Sequence, residues 1–140
     1  MESTIKNDPL HRRAIKILHL LGCPVHRIGF RQLCVAIPLF AKGDVTTVCK
    51  ELYPRIARQM GISDWRAVER SIRCAILDGW KNGNPEMWER FFPGRHKAPS
   101  NKEFICTIAE LVASRLELMP DEVPLHQFRP EYFYFTPPRV

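Results

Sequence analysis

Leu52-Tyr53-Pro54-Arg55-Ile56-Ala57-Arg58-Gln59-Met60-Gly61-Ile62-Ser63-Asp64-Trp65-Arg66-Ala67-Val68-Glu69-Arg70-Ser71-Ile72-Arg73 is the stretch on which the fold turns. Ala57 is a small residue where two helices can touch, and Gly61 tolerates the positive φ of a sharp turn between them. Ser63 is a capping residue, and Val68 and Ile72 give the next helix an inward apolar pair. Together they predict a helix-turn-helix over about 46–81, its turn one residue longer than the commonest spacing. Helix hairpins in ordinary bundles share part of this pattern, so the second helix has to decide. At about 100° per residue, Val68, Ile72, Ala75, Ile76 and Gly79 fall on one face, and Arg66, Arg70 and Arg73 fall on the opposite one. Three guanidinium groups then project from the N-terminal half of that helix, where recognition helices meet base edges. Arginine can bond O6 and N7 of guanine together, worth roughly 1–3 kcal/mol of discrimination per pair. Glu69, at the flank, either accepts from a cytosine amino group or orients Arg70 or Arg73; a solvated basic face is the plain alternative for the whole set.

Helical signals extend on both sides. Asp8 and Pro9 suit a helix start, and Leu10, Ala14, Ile17, Leu18 and Leu21 form one apolar stripe that Gly22 and Pro24 end. A second helix is expected from Gly29 to Ala41, with Phe30, Leu33, Ile37 and Phe40 inward and a kink or early end at Pro38. Asp44 or Thr46 can cap a third stretch over Val45 to Met60, which Pro54 kinks or divides. Ser63 is expected to cap a long helix from Asp64 to Lys81. Asn84-Pro85 opens a short aromatic helix through Phe92, and Ser100 with Glu103 has the spacing of a capping box for a last helix to about Leu118. Six helices and no strand make the class all-α. Residues 1–8 read as an N-terminal extension and 9–118 as the domain. Residues 119–140 hold five prolines and five aromatics, which predicts an extended, non-helical tail that docks on this chain, a second copy or another protein.

The 140 residues are one domain's worth, with 45% hydrophobic and 26% charged residues, an ordinary globular balance. No apolar stretch is long enough to span a bilayer and no signal peptide is evident, so a cytoplasmic protein is expected. Five widely spaced cysteines without a C-x-x-C pair are expected to be buried free thiols. Cys23 and His26 are spaced as half a zinc site, but no second pair follows, so no metal and no cofactor are expected. No paired carboxylates, Ser-His-Asp set or phosphate loop points to an enzyme. The net charge is +6 and unevenly placed: residues 55–73 carry five arginines against two acids, and residues 90–102 four basic side chains and no acid. A localised positive charge favours a polyanionic partner. Candidate phosphate contacts are Ser63 and Trp65 at the start of the second helix of the pair, and Arg95, Lys97, Ser100 and Lys102 ahead of the last helix. A solvated loop is the alternative for the latter group.

From about His19 to Leu118 the chain resembles the C-terminal effector domain of the sporulation response regulator known as stage-zero protein A. The matching residues are Leu21-Gly22-Cys23-Pro24-Val25-His26, Leu52 through Ala57, Val68-Glu69-Arg70-Ser71-Ile72-Arg73 with Ala75-Ile76, Trp80 with Gly83-Asn84, and Pro99 through Ile105. The resemblance implies a six-helix fold, a recognition helix at 64–81 and binding to short GC-containing boxes in promoters, as two copies on adjacent boxes. It assigns base and phosphate contacts to Glu69, Arg70 and Arg73. One departure matters: the family has arginine immediately before the valine of the V-E-R-x-I-R run, where this chain has Ala67 and, one place earlier, Arg66. That is a 100° rotation on a helix, so an altered or relaxed sequence preference is expected. Only about ten residues precede the first helix, so the family's receiver domain, and activation by phosphorylation in cis, are not expected. Two readings remain open: a sequence-specific regulator that binds double-stranded DNA, or a protein of the same fold that pairs with a full-length regulator or another partner.

Overall fold

In the computed structural model, residues 8–114 are described, and among them the chain forms six α-helices and no strand. They are α1 (Pro9–Leu21), α2 (Ile28–Ala41), α3 (Tyr53–Met60), α4 (Trp65–Asn82), α5 (Pro85–Phe91) and α6 (Asn101–Ser114), with a π-helical turn at Val48–Leu52 leading into α3. The tail at 119–140, and the expected end of the last helix at Leu118, lie outside the described residues. Among the described residues no helix is long and apolar enough to cross a membrane.

Local chemistry sets the boundaries. Asp8 caps α1 by accepting from the Leu10 N–H at 3.0 Å, with Pro9 in the first turn where its missing N–H costs nothing. α2 runs through Pro38 to Ala41 rather than ending there. A proline at 38 cannot donate to the Cys34 carbonyl one turn back, and His11 takes that acceptor instead: Nδ1 lies 3.1 Å from it, so Nδ1 carries the proton. Pro54 is accommodated differently. The turn ahead of it is wound with i→i−5 bonds, Leu52 N–H to Thr47 O at 3.1 Å and Tyr53 N–H to Val48 O. Neither Asp44 nor Thr46 caps this segment, contrary to expectation. Glu51 reaches back to accept from the N–H groups of Thr46 (2.6 Å) and Thr47 (3.1 Å), which holds its carboxyl below the usual range.

α2 is the central element, packed against α1, α4 and α6. Its crossing with α4 is close: a Cβ at Gly29 would lie 2.2 Å from the Ser71 carbonyl oxygen, so only glycine fits. The core is continuous, from Ile17, Leu18 and Leu21 through Leu33 and Ile37 to Ile72, Ile76, Phe104, Ile105 and Ile108, all at 0% exposure. An aromatic group closes one end: Phe92 and Phe104 stack at 5.5 Å, and both contact Trp88. The buried Trp88 indole Nε1 donates to the carbonyls of Leu21 (3.0 Å) and Gly79 (2.9 Å), tying α5 to the C-termini of α1 and α4. The expectation of buried thiols holds for Cys23 and Cys34 only. Cys49 and Cys74 are exposed and Cys106 is half-buried, because Cys49 lies on the open side of the π-turn and Cys74 on the solvent side of α4.

Candidate nucleic-acid interface

The two-helix unit closes on Gly61, which takes φ +69° and ψ +31°. Ile62 N–H bonds to Ala57 O at 2.8 Å and Gly61 N–H to Arg58 O at 3.4 Å, the paired 6→1 and 5→2 bonds of a Schellman turn. Any residue with a Cβ would be strained there. The chain then enters α4 at Asp64, whose side chain accepts from the Arg66 N–H at 3.0 Å. Asp64 is therefore the cap, not Ser63: after the Schellman turn the backbone first reaches capping geometry one residue later than the spacing suggested. Val68, Ile72, Ala75, Ile76 and Gly79 are the buried residues of α4, the five the periodicity had placed on one face. Arg66 and Arg70 are exposed and Arg73 is half-buried.

An open cleft of about 980 Å³ runs between α4, the π-turn and the segment leading into α6. It is lined by Lys50, Arg70, Arg73, Arg95, Lys97 and Lys102, with Glu69 and Glu103 as its carboxylates, so six cations face two anions. Seven of the ten candidate contacts meet there: Glu69, Arg70, Arg73, Arg95, Lys97, Ser100 and Lys102. Ser63, Trp65 and Arg66 lie apart from it, around the N-terminus of α4. Trp65 stacks on Tyr53 with ring centres 5.9 Å apart, and the Arg66 guanidinium lies 5.8 Å over the Trp65 ring while its Nε stands 3.5 Å from Asp64. Lys50 and Thr47, together with Thr46, which the sequence offers only as a cap, also line the cleft. The available signal was their place just ahead of the first helix of the pair, the helix that crosses the backbone in such units.

Two of the cations are already partnered. Arg73 Nη1 donates to Pro99 O at 2.7 Å and to Asn101 Oδ1 at 3.3 Å, while Arg95 Nη2 donates to Glu103 Oε1 at 2.6 Å. Glu103 also accepts from the Ser100 N–H (2.9 Å) as the Glu103 N–H donates to Ser100 Oγ (3.1 Å), which completes the capping box. The Ser100 N–H, then Arg95, holds the Glu103 carboxyl below the usual range. In the lining of the cleft, burial pushes the Tyr53 phenol up to about 12, against the pull of its bond from Asn101. Lys50, Arg70, Lys97 and Lys102 are exposed and make no ion pair within the described residues, so their charge stands open to a polyanion. Among the described residues no three His, Cys, Asp or Glu side chains are grouped to hold a metal ion.

A helix-turn-helix whose second helix forms one wall of a cationic cleft defines a nucleic-acid-binding class of domain. The chain belongs, more particularly, to the family described as sporulation initiation factor Spo0A C terminal, whose sequence model matches residues 14–112. That family is one of DNA-binding domains in sporulation transcription regulation, not of enzymes.

Proposed function

We propose that this protein binds double-stranded DNA sequence-specifically as a transcription regulator, with residues 9–118 as its DNA-binding domain. The observation that carries this is the convergence of Lys50, Arg70, Arg73, Lys97 and Lys102 in one cleft against α4, in a member of a DNA-binding family. α4 enters the major groove with Arg70 and Glu69 toward base edges, Arg66 near its N-terminal end, and Arg73 contributing the donors that Pro99 and Asn101 leave unused. Lys97, Ser100 and Lys102 hold phosphates on one flank, with Ser63 and Trp65 on the other. Arg95 joins them when a phosphate replaces Glu103 as its partner. The protein acts in the cytoplasm, as two copies on adjacent boxes, since one small module covers limited DNA surface. The tail at 119–140 offers a separate contact for a protein partner.

Selection of bound sequences from random duplex DNA tests this. A GC-containing box should be enriched, and Ala67→Arg should shift it toward the family's preference. Arg70→Ala should abolish the gel shift of the enriched duplex while leaving the fold intact by circular dichroism. No enrichment for either the wild type or Ala67→Arg would move the assignment to a partner-binding protein of the same fold.

A further inference from the structure

The base-facing helix and the basic segment ahead of α6 come from distant parts of the chain, and one side chain joins them. Asn101, the first residue of α6, is 8% exposed and lies in the cleft floor. Its Nδ2 donates to Tyr53 Oη at 3.0 Å and to the Glu69 backbone carbonyl at 3.1 Å, and its Oδ1 accepts from Arg73 Nη1 at 3.3 Å. A primary amide has two donors and an acceptor on one planar group, so it makes all three bonds at once. A carboxylate would bring no donor to Glu69 O, and an apolar side chain would bring nothing. Tyr53 belongs to the first helix of the pair and Glu69 and Arg73 to the second, while Ser100 and Lys102 flank Asn101 itself.

We infer that Asn101 is a positioning residue for DNA recognition, an inference that rests on the DNA-binding reading above. It fixes the rotation and depth of α4 relative to Lys97 and Lys102, so that base edges and phosphates of one duplex are engaged together. Asn101 bears no charge, and non-specific affinity comes from summed charge on phosphates. Its loss therefore lowers specific binding while leaving non-specific binding nearly intact, whereas a merely structural role lowers both with the folded fraction.

The test titrates the full chain with the duplex enriched by selection and with a scrambled duplex of the same composition, at one salt concentration. Asn101→Leu is expected to weaken binding to the enriched duplex about tenfold, since three hydrogen bonds go, and to the scrambled duplex by less than about twofold. Tyr53→Phe removes one hydroxyl and keeps the ring, so it reads the same effect at about threefold if Asn101→Leu fails to fold. An unchanged ratio of the two affinities in a folded variant overturns the positioning role alone. A wild type that does not distinguish the duplexes overturns both this role and sequence-specific recognition.

Discussion

Replacing Gly29 with alanine tests how tightly the DNA-facing helix is docked. The added Cβ would stand 2.2 Å from Ser71 O, 2.8 Å from Ser71 C and 2.9 Å from the Ala75 Cβ. Two of those atoms are backbone in the middle of α4 and cannot swing aside as a side-chain end would. Reaching ordinary contact at 3.4 Å requires a movement of about 1.2 Å between α2 and α4. Alanine's better helix propensity returns about 1 kcal/mol. Overpacking a close-packed core costs typically 1–3 kcal/mol and more where backbone must move, so a net loss of about 3 kcal/mol is expected. For a domain of this size that is a fall of about 15 °C in Tm. Gly43→Ala is the control: Gly43 takes φ +79° with nothing within 4 Å of the new Cβ, so only the left-handed strain of about 1–2 kcal/mol applies. Thermal unfolding followed by circular dichroism compares the three proteins. If Gly29→Ala melts no lower than Gly43→Ala, the close crossing of α2 and α4 is wrong.

Trp88→Phe should cost about 2–3 kcal/mol in urea unfolding, from the lost ring volume and indole bond. It costs no more because both carbonyls keep a second donor, Leu21 O from Asn84 N–H and Gly79 O from Gly83 N–H; a loss above about 5 kcal/mol would contradict that. Gln32 is wholly buried with neither amide atom partnered among the described residues, each at a cost of about 1–3 kcal/mol, so Gln32→Met should hold or raise Tm; a clear fall would show that the amide is satisfied. Glu103 has a depressed carboxyl pKa, so its stabilising bonds are fully present above its ordinary value of 4.5 and are lost as pH falls through the folded value. Wild type should therefore exceed Glu103→Gln in stability near pH 7, and the gap should close as pH falls below 4.5 through the folded value; a constant gap would count against the Glu103 carboxylate as its source.

What was legible in the sequence was local. The buried face of α4, the turn at Gly61 and the Ser100–Glu103 box each follow from spacings of a few residues, where backbone geometry leaves one solution. Asp64 displaced Ser63 as the cap because both can accept from an N–H, and the incoming turn, not residue type, fixes which one is in register. The π-turn was hidden because Pro54 forbids one bond without saying how the chain rewinds around it. The expected thiol burial failed at Cys49 and Cys74, since apolar neighbours in sequence are not neighbours on one helix face. Least legible were contacts made across the fold: Arg73 to Pro99, 26 residues away, and Asn101 to Tyr53, 48 residues away. They decide which cleft cations are braced and which stand open, and no local pattern encodes them.

Backbone amide shifts of the full chain, followed by nuclear magnetic resonance as the enriched duplex is added, test the central claim most directly. The largest changes are predicted along the cleft, at Lys50, Arg70, Lys97, Ser100 and Lys102. Changes concentrated instead at the exposed apolar residues Val25, Ile28 and Leu77, which lie outside the cleft, with the cleft unmoved, would contradict the account.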